Sequence, residues 1–127
     1  RTLRFCTVLG ALAIATAMAS AHWLAPDEIV SGLANDPHLR DRIGVTGVRI
    51  DRKLPRLLII SVQRERWEQV PNADRIKLAE EWLATWRHSV PEGVVAVLDA
   101  ATEQTLVNYD AFGQARLKPP AVGTPGS

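Results

Sequence analysis

The chain has 127 residues, 46% of them hydrophobic and 23% charged, with a formal net charge of +1 and a single cysteine. That length suffices for one modest hydrophobic core and not for a second domain. One cysteine cannot close a disulfide within the chain, so the fold is held by its core alone.

The first element is a charge-free run from Phe5 to Pro26 that follows Arg1 and Arg4. Basic residues, the apolar stretch "FCTVLGALAIATAM" and the small-x-small triplet Ala19-Ser20-Ala21 are the three parts of a secretory signal. Residues 1–21 are therefore expected to be removed, which leaves His22 as the first mature residue. An uncleaved membrane anchor is the alternative, because the run approaches the ~20 residues a span requires. Ala, Thr and Ser dominate it, however, and these residues contribute little to insertion. In either case the arginines hold the N-terminus inside, so everything after residue 26 is expected outside the cytoplasm, periplasmic or secreted. Cys6 lies within the run and not at the cleavage point, which argues against a lipoprotein signal. The mature chain would then carry no thiol for Cys-ligated zinc or a Cys nucleophile.

"APDEIVSGLAND" predicts a short helix, with Pro26 in its first turn, Asp27 and Glu28 at its positive end, and Ile29, Val30 and Leu33 as its apolar face. "GVTGVRID" alternates as a half-buried strand. "RKLPR" is a connection, since Pro55 does not suit a central strand. "LLIISVQRERW" is the strongest strand signal; the run from Leu57 to Ile60 implies burial on both faces before Arg64 and Arg66 emerge into solvent. "PNADRIKLAEEWLATWRHSVPEG" predicts the longest helix, with Asn72 as cap and Pro91 and Gly93 as its stop. Ile76, Ala79, Trp82, Leu83 and Trp86 form its buried stripe, and Arg75, Lys77, Glu80, Glu81 and Arg87 are left to water. Trp82 and Trp86 lie one turn apart, an arrangement that covers a sheet more often than it shelves a ligand. "GVVAVLDAATEQTLVNYD" predicts a hairpin pairing residues 94–98 with 105–109, and "AFGQARL" prolongs its second strand past Gly113. "KPPAVGTPGS" is a tail with too little apolar content to pack.

The order α-β-β-α-β-β implies an α+β fold: a two-layer sandwich whose antiparallel or mixed sheet is covered on one face by helices. The expected organisation is a signal peptide at 1–21, one small domain at 22–117 and a flexible tail at 118–127. "DEIVSGLANDPHL", "VTGVRID", "LLIISV", "ADRIKLAEEWLA" and "VPEGVVAVL", over residues 27–98, resemble in order and spacing the BON domain of bacterial envelope proteins. That resemblance implies a periplasmic module that binds phospholipid or envelope proteins without catalysis. "VVAVLDAATEQTLVNYD" is also similar to the terminal hairpin of PepSY domains or to one quinoprotein propeller repeat, which usually carry Gly where Glu103 stands.

Charge is unevenly spread. Between residues 40 and 66 lie eight basic residues (Arg40, Arg42, Arg49, Arg52, Lys53, Arg56, Arg64 and Arg66) against Asp41, Asp51 and Glu65. Arg49, Arg52, Lys53, Arg56, Arg64 and Arg66 fall on the two early strands and their connection, so pairing would gather them into a field suited to an anionic membrane surface. Nucleic acid is not an expected partner outside the cytoplasm. The bland alternative is that strand edges carry Arg and Lys for solubility.

Catalytic arrangements find little support. His88 and Ser89 are adjacent and point about 100° apart on a helix, which does not make a nucleophile–base pair. Asp99, Glu103 and Asp110 follow no calcium-loop spacing. No phosphate loop, nucleophile elbow or HExxH is present. The expectation is a non-catalytic binding module of the cell envelope with no cofactor. The alternatives are a copper protein using the amine and imidazole of His22, with His38 or His88 as further ligand, and an accessory subunit of an enzyme.

Overall fold

A computed structural model describes residues 24–119. The expected signal peptide and His22 lie outside the described residues, as does the tail from residue 120. The fold is α+β, as the element order implied. Helix α1 (Pro26–Ala34) leads through a π-helical turn (Leu39–Ile43) into β1 (Val45–Ile50) and β2 (Leu57–Val62). A short helix α2 (Arg64–Gln69) and the long helix α3 (Asn72–Ser89) follow, then β3 (Val94–Asp99), β4 (Val107–Tyr109) and β5 (Ala115–Leu117).

The main sheet has the order β1-β2-β3, with β1 antiparallel and β3 parallel to the central β2. A parallel neighbour needs a crossover connection, and α2 and α3 supply it. Central position explains the unbroken apolar run: Leu58 and Ile60 point to the helices, whereas Ile59 is buried on the opposite face. Side chains alternate faces along a strand, so the register pairs Arg49 with Ile59 on the side away from the core. Strands β4 and β5 form a separate two-stranded sheet against α3.

The core is built around indoles. Trp67 and Trp86 are at most 1% exposed, and Ala79, Trp82 and Leu83 complete the buried stripe of α3. Burying side chains of this size contributes roughly 1.5–3 kcal/mol each. Trp82 stacks on Trp67 at 6.0 Å between ring centroids. Both tryptophans of α3 therefore lie in the core, and neither forms a ligand shelf.

Several local expectations are corrected. The β2 strand stops at Val62, and Arg64 and Arg66 belong to α2. Burial of Trp67 is the reason: a helical turn swings its indole under α3, where a continuing strand would have carried it past the core. Asn72 is the first residue inside α3, not its cap, and Pro71 holds the cap position. The expected 94–109 hairpin contracts to one bridge, Leu98 with Thr105, after which β4 turns away to pair with β5 around Gly113. Glu80, expected in water, accepts the Ala115 N–H at 2.9 Å and fastens β5 to α3. Arg75, likewise expected in solvent, lies 5.8 Å over the Trp67 ring. Glu103 occupies the left-handed region at φ 62°, a conformation that Gly adopts more readily.

Tyr109 is the only tyrosine. Its hydroxyl donates to the Ala79 carbonyl at 2.8 Å. Burial, with a smaller contribution from the Glu80 charge, raises its ionisation well above the ordinary tyrosine range. The unfolded chain ionises near pH 10 while the folded one stays protonated, so this contribution to stability is complete below about pH 10 and is lost as pH rises further. In an alkaline titration followed by phenolate absorbance, the phenolate should appear only as the protein unfolds. Phenolate formed by a still-folded protein at ordinary tyrosine pH would contradict the buried hydroxyl.

Candidate functional site

The β1–β2 connection is a constrained hairpin tip. The Asp51 carboxylate accepts the N–H groups of Lys53 and Leu54 at 3.1 and 2.8 Å, and the Leu57 N–H donates to the Leu54 carbonyl at 2.9 Å. An aspartate that bonds backbone two and three residues on fixes a turn without help from the core. The far side is tied down at Arg56, whose carbonyl accepts both the Trp86 indole N–H and the Val94 N–H at 2.8 Å. A buried tryptophan therefore positions a surface loop.

That tip carries Arg52 and Lys53, with Arg49 one turn of the sheet below and Arg56 at its exit, all exposed. Among the described residues no carboxylate lies within ion-pairing distance of any of the four. Arg56 makes one long contact, 3.5 Å to the Glu92 carbonyl.

The other two expected members of the basic set are elsewhere. Arg64 and Arg66 sit past the opposite end of β2, about 20 Å along the strand at its usual rise. Arg64 pairs with Glu68 at 3.1 Å and lies 3.9 Å from Asp99. Arg66 donates to the Asp41 carbonyl. Both act within the fold, so four residues of the set are brought together and two are not. Glu68 lies one helical turn from Arg64, whereas Asp99 and the Asp41 carbonyl are distant in sequence and no local pattern announced them.

Asp99 is the one buried charged residue among those described. It closes the end of β3: its oxygens accept the Ala101 N–H and the Thr102 hydroxyl, each at 3.0 Å. The small cavity beside it, about 450 Å³, is bordered by Thr46, Gln63 and Arg64. A larger open groove of about 710 Å³ runs between the π-turn and α3, and His38, Asp41, Arg42, Arg66, Asp74 and Glu81 border it. Its charges alternate in sign, which favours no single class of ion. The Ser89 hydroxyl donates to the Leu24 carbonyl. Among the described residues no group of three or more His, Cys, Asp or Glu side chains is gathered to hold a metal, and His22 lies outside them.

Among the described residues no helix is long and apolar enough to cross a membrane. No protein-family model, curated protein or solved structure matches the chain. The functional reading accordingly rests on the chemistry of the surface.

Proposed function

We propose that the protein is an exported, non-catalytic binding module of the cell envelope that contacts anionic phospholipid through the β1–β2 hairpin tip. One observation supports this reading above the others: Arg49, Arg52, Lys53 and Arg56 stand exposed and without ion-pair partners among the described residues, on a loop fixed by Asp51 and Trp86. Cations held in place lose less freedom on meeting a charged surface than cations on a mobile loop. The resemblance of residues 27–98 to BON domains points the same way.

Each Lys or Arg near an anionic leaflet is worth about 1 kcal/mol, so reversing three of them should weaken adhesion at least a hundredfold. The expected result is binding to vesicles containing phosphatidylglycerol, none to phosphatidylcholine alone, and loss of binding in the triple variant Arg52→Glu/Lys53→Glu/Arg56→Glu. Added salt should weaken the wild type, because exposed charges are screened over a Debye length of about 10 Å at 0.1 M. Unchanged binding after charge reversal would reduce these residues to solubilising decoration. The export half of the reading is checked by N-terminal sequencing of protein from the periplasmic fraction, with His22 expected first; a chain retaining Arg1 in the membrane fraction would mean an anchor.

A further inference from the structure

Four large apolar side chains are exposed among the described residues: Leu24 at 43%, Leu54 at 40%, Val94 at 38% and Phe112 at 89%. They come from four separate stretches of sequence, yet contacts place all four at one end of the fold, where α3 finishes. The hydroxyl of Ser89, the last residue of α3, donates to the Leu24 carbonyl. Arg87, one half-turn earlier, donates to the Gly93 carbonyl at 2.9 Å, beside Val94. The same guanidinium lies 3.5 Å from where a side chain on Gly113 would begin, beside Phe112. The Val94 N–H bonds to Arg56, which follows the hairpin tip carrying Leu54.

The β4–β5 hairpin also points this way. Tyr109 meets Ala79 and Ala115 meets Glu80, while Gly113, at the turn, meets Leu83 and Arg87 further along α3. Leu54 and Phe112 are presented alike. Asp110 accepts the N–H groups of Phe112 and Gln114 at 2.8 and 2.9 Å, as Asp51 does for Lys53 and Leu54. Fixed turns hold an exposed leucine and an exposed phenylalanine outward, where an unconstrained loop would let them fold back.

The charges at this end fit an anionic partner. Arg52, Lys53 and Arg56 flank Leu54 in the chain, and Arg87 lies beside Gly93 and Gly113, next to Val94 and Phe112. Of the carboxylates nearby, Asp51 and Asp110 bond their own loops, and Glu28 accepts the Ala25 N–H at 2.8 Å. Asp27 and Glu92 are left facing outward. Leu24 belongs to the end of the charge-free run from Phe5 to Pro26, so that run meets the fold at this same end.

The geometry points to this end as a bilayer-docking face, on which Leu54 and Phe112 insert among the acyl-chain boundary of an anionic phospholipid leaflet while Arg52, Lys53, Arg56 and Arg87 meet its phosphates. The inference deepens the proposed lipid-contact function and rests on it, adding insertion and an orientation that charge attraction alone does not require. Burial of apolar side chains at the headgroup boundary and attraction to anionic lipid reinforce one another in interfacial binding. An apolar tip also explains why two prominent hydrophobic residues are kept in water by turn chemistry.

Two measurements on the exported chain test it. Leu54→Ser/Phe112→Ser leaves every charge in place and should lower the partition onto phosphatidylglycerol vesicles about tenfold or more, while circular dichroism stays unchanged. On the exported chain, expected to begin at His22 and so without a cysteine of its own, a polarity-sensitive fluorophore on Phe112→Cys should shift to the blue on binding, and the same label on Ala101→Cys, past the opposite end of β3, should not. Salt-sensitive binding with neither effect, or equal shifts at both positions, would overturn insertion and leave the electrostatic reading standing. Failure of the unsubstituted protein to bind anionic vesicles would overturn both. A dimer that the serine pair abolishes, without vesicle binding, would assign the face to a second copy of the chain.

Discussion

Trp86→Ala is expected to destabilise the domain by about 4 kcal/mol, in the range measured for deleting a fully buried indole. Trp86 is fully buried and touches three parts of the fold at once: the stripe of α3, the approach to β3 at Gly93, and the carbonyl of Arg56. Removing it opens a cavity that rigid neighbours on a sheet and a helix cannot close. It also deletes the indole donor to Arg56. A domain of this size has about 5–15 kcal/mol in total, so about a quarter or more of its margin is at stake. Thermal unfolding should move down by about 15 °C or more, at the usual few degrees per kcal/mol. Trp86→Phe keeps most of the buried ring and loses the N–H. It should cost about 1–2 kcal/mol less than Trp86→Ala, because most of the ring still fills the site and the Arg56 carbonyl still has the Val94 N–H as partner. A thermal midpoint in Trp86→Ala within a few degrees of wild type would show that the indole is not the packing centre described.

How much of this could be read in advance depended on whether a signal was local. Helix α1, strand β1 and helix α3 were legible because each places apolar residues at one period against polar ones. The uninterrupted Leu57–Ile60 run correctly implied a strand buried on both sides, since Leu58, Ile59 and Ile60 are all buried. Trp67 was not legible. "QRERW" has the composition of a strand emerging into water, and only the docking of its indole on Trp82 makes it helical and buried. The stop of α3 was legible as a place and not as a mechanism: Glu92 takes the left-handed conformation, at φ 60°, that a terminal glycine usually supplies.

The candidate site divides along the same line. Arg49, Arg52, Lys53 and Arg56 were placed together because they surround a proline-containing connection between two clear strands. Arg64 and Arg66 were misplaced because the segment after β2 is a helix, which pairs Arg64 with Glu68 one turn on, while Asp99 and the Asp41 carbonyl are brought to the two arginines by the tertiary fold. The gathering of Leu24, Leu54, Val94 and Phe112 left no trace in the sequence at all. Four residues spread between positions 24 and 112 share one end only because α3 and both hairpins finish there.

Gly93→Ala should cost about 3 kcal/mol, although it adds a single methyl group. A Cβ at that position would lie 2.5 Å from Trp86 Cδ1, 2.8 Å from its Nε1 and 2.9 Å from the Val90 carbonyl oxygen. None of these can give way cheaply. The indole is fully buried and its N–H is held by Arg56 at 2.8 Å, while the Val90 carbonyl accepts the Gly93 N–H at 2.9 Å. Overpacking a rigid site typically costs about 1–3 kcal/mol, and contact with backbone as well as a ring places this case at the upper end. The glycine is therefore required for close approach, while Glu92 supplies the positive φ of the turn. A double-mutant cycle separates this from a general intolerance of β3 to change. In a Trp86→Leu background the ring edge is gone, and Gly93→Ala should cost about 1 kcal/mol, the share left to the Val90 carbonyl contact, a coupling of about 2 kcal/mol. Urea unfolding of the four proteins supplies the numbers. Costs that simply add, within about 0.5 kcal/mol, would mean that the glycine serves the backbone of the strand and not the space beside Trp86.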